Sequence, residues 1–493
     1  MSTTEPETMI GLYIHQHWPY HHPYAARTWT LEDWRGFAGG LRELGYNTLL
    51  VWPMTETMPD PLTPSDWTAL ERLAAVIDMV HDELGMRVYI ALCPNVMADD
   101  SAAAAASFEE RHFYYCDALA DPGDPVALAR FLRRREELLR PLSRVDGVCI
   151  IDSDPGGYPG SAIAEFVNLL VEHRGMLDRL RPGIELVYWM HVGWRGWSRL
   201  YEQGKLVFGT EEEQLEALSR LVAFNPEPWG LANGLPFAEQ LGIAEKVISF
   251  NYGRIEGEPS FPMTNFGGSA AYEGGRLPAP RGVMGNAQTH CVQLPNIFAF
   301  ARGARGLPLA EADYVQFAED LVPGQGSSIV EAWQLLQGRV PDHMREVAAR
   351  LEGLRDAEIP PGRFVGLLFN DPRRFFSDLV MMLRMQAARL DFIAAVERGD
   401  ELSMPLRRFV AAAEIWQKQH GYQNYWHDPE LHAALRRLDS AAVNAVLNIH
   451  HEVGDALSSG VGTFEEQVRL NFRTIETYTP QLLAAMKTAL EEE

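Results

Sequence analysis

The segment Gly147-Val148-Cys149-Ile150-Ile151-Asp152-Ser153-Asp154-Pro155-Gly156-Gly157 is an apolar, β-branched run that stops on two acids and a Pro-Gly-Gly breaker. A short apolar run bounded by turn residues reads as a buried strand, here Gly147–Asp152. An amphipathic stretch from about Pro125 to Leu142 precedes it and reads as a helix. The next apolar run is Glu185–His191. Strand, long helix and strand in this rhythm predict parallel pairing, because only parallel neighbours need a long crossover.

The same rhythm extends in both directions. Upstream lie Met9–His15, Thr48–Trp52 and Arg87–Leu92, with helices from about Leu31 to Leu44 and from about Ser65 to Leu84. Thr30 with Asp33 three residues on is an N-cap pattern with an acidic first turn. A longer excursion follows the third strand and holds the small low-complexity patch Ala102–Ala106. Downstream, Leu206–Phe208 or Leu221–Asn225 is the candidate sixth strand, Lys246–Tyr252 the seventh and Gly282–Asn286 the eighth. About eight such units in residues 1–305 predict a (β/α)8 TIM barrel, an α/β fold, with a doubly wound open sheet as its rival. The first strand is followed by no GxGxxG turn and the chain has no P-loop, which favours the barrel.

From about Leu309 strand-like runs give way to helical spacing in Ser328–Leu354, Arg374–Arg398, Met404–Lys418, His432–Gly454 and Phe464–Glu491. Residues 306–493 are therefore expected to form an α-helical C-terminal domain. Its amphipathic faces pack on each other and on the barrel, and offer a route to a homo-oligomer.

The 493 residues are 46% apolar and 22% charged, enough to bury a large core. With 67 acidic against 43 basic side chains the net charge is −24. That sign disfavours nucleic acid and anionic membranes as partners. Cys93, Cys116, Cys149 and Cys291 are scattered, without the paired spacing of a disulfide framework or a zinc site, so reduced thiols are expected. Met1–Thr8 lacks the features of a signal peptide, and no apolar run reaches the roughly 20 residues of a membrane span, so a cytoplasmic location is expected.

Barrel enzymes place their reactive groups where strands end. The first strand leads into His15, His17 and Trp18; the second into Trp52 and Glu56; the third into Asn95. The fourth gives Asp152, Asp154 and Tyr158, and the fifth His191 and Trp194. Asn225, Glu227 and Trp229 follow the sixth, Asn251 and Tyr252 the seventh, and Asn286, Gln288 and His290 the eighth. Aromatic faces suit the C–H face of a pyranose, while amides, imidazoles and carboxylates bond its hydroxyls. The expected partner is a carbohydrate or glycoside, with no cofactor and no metal.

Asp152 and Asp154, two apart along a strand, face the same way if the strand persists through Ser153. Two close carboxyls cannot both ionise cheaply, which makes one a proton donor beside an anion. The pair predicts a glycoside hydrolase working by carboxylate acid/base chemistry. Which aspartate is the acid stays open. So does the second participant, for which Glu227, Glu56 or a group on the substrate are the candidates.

The Asp-x-Asp after the fourth strand, the aromatic strand ends and the barrel-plus-helices layout resemble glycoside hydrolases, nearest in plan to the N-acetylhexosaminidase and chitinase barrels. That resemblance implies that one of Asp152 and Asp154 is the general acid and the other orients a 2-acetamido group acting as nucleophile. Trp229 and Tyr252 would be pocket-lining counterparts. Gly156 stands where the chitinase pattern continues to Glu, and hexosaminidases carry adjacent acids. Two further readings remain. His15, His17 and His191 resemble part of the amidohydrolase metal site, which implies a metal-dependent hydrolase or sugar isomerase, although the fourth and eighth strand ends depart from that pattern. A carbohydrate-binding barrel without turnover is the other.

Overall fold

The computed structural model describes residues 8–16, 21–111, 116–152, 162–190, 211–251, 279–287, 293–354, 357–421, 428–448 and 481–492. The strands in chain order are β1 Met9–Ile14, β2 Thr48–Val51, β3 Arg87–Leu92, β4 Val96–Ala98, β5 Cys116–Leu119, β6 Gly147–Ile151, β7 Glu185–Trp189, β8 Trp229–Ala232, β9 Val247–Asn251 and β10 Gly282–Ala287. Eight of them close a parallel barrel in the order β1-β2-β3-β6-β7-β8-β9-β10, while β4 and β5 form an antiparallel pair within the third excursion. The TIM-barrel expectation therefore holds, and Asp152 follows the fourth barrel strand.

The sixth barrel strand is a correction. It is β8, Trp229–Ala232, and Leu221–Phe224 is instead the last turn of helix Glu211–Phe224. The other candidate, Leu206–Phe208, lies outside the described residues. A four-residue apolar run cannot be assigned to helix or strand by periodicity alone, and here the run belonged to the helix.

The seam between first and last strands is tight. Gly282 has φ +130°, and a Cβ there would lie 1.9 Å from the Met9 carbonyl oxygen, so only glycine allows β10 to pair with β1 at this point. Inside the barrel, near the N-terminal ends of the strands, Arg281 donates to both Glu185 oxygens at 2.6 and 2.9 Å, and the Tyr89 hydroxyl donates to Glu185 at 2.7 Å. Cys149 is a buried free thiol beside this cluster, its ionisation pushed up by burial and then by the Glu185 charge.

The helices follow local rules. Helix Leu31–Leu44 opens on the Thr30/Asp33 capping box and closes on left-handed Gly45. It packs on helix Pro64–Asp82 and on the 3-10 turn Val365–Leu368, and Phe37, on its buried face with Trp34 and Leu41, stacks on Phe369 with centroids 5.7 Å apart. Ala102–Ala104 of the alanine-rich patch belong to the short helix Asp100–Ala104, which Ala105 caps. After Leu294–Ala304, which backs the last strand, come Glu311–Leu321, Gly326–Leu336, Pro341–Glu352, Pro372–Arg398, Ser403–His420 and Pro429–Arg436. The helical stretch Ser328–Leu354 divides into two helices, with Pro341 starting the second at its N1 position. The described part of His432–Gly454 likewise divides into Pro429–Arg436 and a helix over 441–448, and of Phe464–Glu491 the described part, 481–492, is helical. The C-terminal helices share one continuous apolar core with the barrel. Among the described residues no helix is long and apolar enough to cross a membrane.

Candidate functional site at the barrel mouth

Strand alternation sets the floor of the mouth. Tyr13, Trp189 and Phe250 come from β1, β7 and β9, which are not sheet neighbours, so their rings can meet only inside the barrel. Trp189 stacks on Phe250 with centroids 3.9 Å apart, and Tyr13 stands nearly perpendicular to both, with centroids at 5.5 and 5.6 Å. His15 lies above Tyr13, two residues on and 4.0 Å between centroids, and Trp52 flanks both.

Asn286 faces Tyr13 across the seam and points the same way, into the bore. His15 Nε2 lies 2.6 Å from the Asn286 Oδ1, so the ring donates to the amide oxygen. Burial lowers the His15 pKa from its ordinary value to about 3, against the raising effect of this bond. The imidazole is therefore neutral at working pH and holds one orientation of the amide. The amide nitrogen, also buried, has no hydrogen-bond partner among the described residues. A buried donor left without a partner costs about 1–3 kcal/mol, and a ligand oxygen removes that cost.

Asp152 is wholly buried just past β6, its backbone N–H donating to the Trp189 carbonyl at 3.1 Å. The Tyr188 hydroxyl donates to its Oδ2 at 3.3 Å. Tyr188 faces the helix layer, where its ring meets Phe166 edge-on at 5.5 Å. Asp152 is thus gripped from the rim between β6 and β7. Burial, and then the neighbouring carboxylate, push the Tyr188 hydroxyl's ionisation well above its ordinary range, so it stays a donor. Asp154 and Tyr158 lie outside the described residues, and so does their geometry relative to Asp152.

Glu56 and Asn95 serve the loops. Glu56 accepts from the Cys93 N–H at 2.8 Å and from the Trp52 indole at 3.3 Å, which ties the ends of β2 and β3 together. Burial raises its pKa above the ordinary carboxyl range, with Arg135 opposing. Arg135 donates to the Cys93 and Pro94 carbonyls at 2.8 and 3.1 Å and packs against His173 Nε2 at 2.8 Å. Asn95 donates to the Ala120 carbonyl at 3.0 Å and anchors the β4–β5 excursion.

Asn225, Glu227 and Trp229 fall at the opposite end of the barrel. They precede or begin β8 instead of following a strand, so they flank the N-terminal face. There Glu227 accepts from Lys246 Nζ at 2.7 Å, which holds its carboxyl below the ordinary range, and Asn225 accepts from the Trp229 indole at 3.4 Å. The misplacement follows from the sixth strand: a turn that leads into a strand was read as one that leaves it.

His17, Trp18, His191, Trp194, Tyr252, Gln288 and His290 lie outside the described residues, as does the Asn251 side chain. Among the residues expected to act, the structure brings together His15, Trp52 and Asn286, with Glu56 attached through Trp52. Tyr13, Trp189, Phe250 and Tyr188 were missed, although alternation carried the signal: Tyr13 lies two before His15, and Trp189 two before His191.

No family model and no curated protein matches the chain. Solved structures similar to it include an O-GlcNAc hydrolase variant of Thermobaculum terrenum, 12% identical over 96% of this chain and 96% of that one, with a TM-score of 0.42. A variant β-hexosaminidase of Streptomyces plicatus is 12% identical over 62% of this chain and 66% of that one, with a TM-score of 0.37. A glycoside hydrolase family 20 β-N-acetylglucosaminidase is 12% identical over 61% of this chain and 69% of that one, with a TM-score of 0.36. The likeness is one of barrel fold.

Proposed function

We propose that the chain hydrolyses a glycosidic bond at the C-terminal mouth of its barrel. The observation that carries the reading is the Asn286 amide: its oxygen is held by His15, and its buried nitrogen is left for a ligand oxygen above a floor of Tyr13, Trp189 and Phe250. Aromatic faces with fixed amide donors are what a pyranose needs, with C–H groups toward the rings and hydroxyls toward the amide.

The chemistry is assigned to the segment after β6. Asp154 is the proton donor to the glycosidic oxygen as the bond to the anomeric carbon breaks. Asp152, gripped by Tyr188, is the positioning residue that fixes the start of the segment carrying Asp154. A positioned general acid contributes roughly 10²–10⁴-fold. The resemblance of the Asp-x-Asp segment to hexosaminidase-type barrels favours a 2-acetamido sugar, whose own acetamido oxygen attacks the anomeric carbon in place of a second carboxylate.

The test is a panel of 4-nitrophenyl glycosides, 2-acetamido sugars included, incubated with the full chain between pH 4 and 8. Nitrophenol release from one of them, saturable in substrate, is the expected result. Saturable binding of the glycosides with no release at any pH would establish a carbohydrate-binding barrel instead.

A further inference from the structure

We propose that a second pocket, on the flank of the barrel, binds a small organic anion, a carboxylate or phosphate ester on a sugar-sized body. A cavity of about 580 Å³ lies between the 3-10 turn Thr55–Thr57 after β2, the β4–β5 excursion and helix Pro125–Leu139. That volume is in the range of small-molecule sites. None of Tyr13, His15, Trp189, Phe250 or Asn286 lines it, so it is separate from the floor of the mouth.

Its walls include buried Val96, Phe131 and Leu138, and its rim carries Arg130, Arg133 and Arg134. Arg134 is engaged: it donates to the Pro59 carbonyl and lies 3.9 Å from Asp60 and 3.8 Å from Glu137. Asp100, the remaining rim acid, accepts from the Asp60 N–H at 2.9 Å. Arg130 and Arg133 have no ion-pair or hydrogen-bond partner among the described residues. Arg130 and Arg134 stand four apart on one helix face, where like charges repel, and no acid on the helix offsets Arg130. This concentration of guanidinium groups occurs in a chain of net charge −24. A bound anion would relieve the repulsion, and the planar fork of arginine matches a carboxylate or phosphate with two parallel hydrogen bonds. At the floor, burial pushes the Glu56 carboxyl up, with the charge of Arg135 opposing, so this acid already faces an arginine of its own.

Isothermal titration with glucuronate, glucose 6-phosphate and glucose tests this on the full-length protein. Wild type is expected to bind at least one of the two anions with 1:1 saturation, and whichever binds identifies the anionic group. Exposed Arg130→Ala should weaken that binding about 10-fold or more, the scale of one lost charge-assisted hydrogen bond. Ala127→Trp, which places an indole in the cavity, should abolish it, and neither variant should alter any response to neutral glucose. Lack of saturable binding of both anions would overturn the proposal. So would an affinity that Arg130→Ala leaves unchanged, a result that stands even if Ala127→Trp fails to fold.

Discussion

The Tyr188 hydroxyl, rooted on the helix-facing side of β7, donates to Asp152 Oδ2 across 3.3 Å at the tip of β6. The bond joins two adjacent strands at the last described residue before the segment that carries Asp154. Asp152 is wholly buried, so each donor it keeps counts for more than it would in water.

Tyr188→Phe removes that donor and little else. Stability should fall by about 1–2 kcal/mol in denaturant unfolding, the cost of an acceptor left short of a partner. On a glycoside the wild type turns over, kcat should drop by about 10-fold while KM stays nearly constant, because the sugar floor is untouched. An unchanged kcat would detach Asp152 from the chemistry.

His15 makes a pH-dependent contribution. Its folded pKa is about 3, below the ordinary 6.5, so between those values the unfolded chain takes up a proton that the folded chain refuses. The stability it confers is complete above pH 6.5 and is lost as pH falls through that window, by up to ~1.4 kcal/mol per pH unit. His173 behaves alike, with its pKa also lowered to about 3. His15→Gln should therefore destabilise at pH 7, with the penalty shrinking by pH 5. Parallel stability–pH curves for the two proteins would contradict the assignment.

Glu227 belongs to the far end of the barrel, paired with Lys246 at the surface. Glu227→Gln should leave turnover within about twofold of wild type and cost less than about 1 kcal/mol, as exposed ion pairs do. A loss of catalysis comparable to that of an active-site carboxylate would return Glu227 to the mechanism.

Most of the barrel was legible because parallel strands buried on both faces advertise themselves as apolar β-branched runs, as in Thr48–Val51 and Gly147–Ile151. β8 was not. Its four residues, Trp-Gly-Leu-Ala, carry one β-favouring side chain, while the helix ahead of it ends in the strand-like Leu221–Phe224. That one shift moved Asn225, Glu227 and Trp229 to the wrong end of the barrel. Where the strands are well defined, His15, Trp52, Asp152 and Asn286 lie at or just past the C-terminal ends, as the linear pattern expects. What the linear pattern could not convey was pairing across the bore, such as His15 with Asn286, because those contacts depend on closure of β1 against β10. It also could not reveal that Asp152 is gripped from the helix side, because that follows from where β6 ends.

The central claim, that the segment after β6 carries the chemistry, is tested most directly by steady-state turnover of an aryl glycoside by wild type, Asp152→Asn and Asp154→Asn, each checked for folding by thermal unfolding. The account predicts that folded Asp154→Asn loses roughly 10²–10⁴-fold in kcat and that Asp152→Asn also loses activity. Full activity in both variants on a glycoside that the wild type cleaves would contradict it.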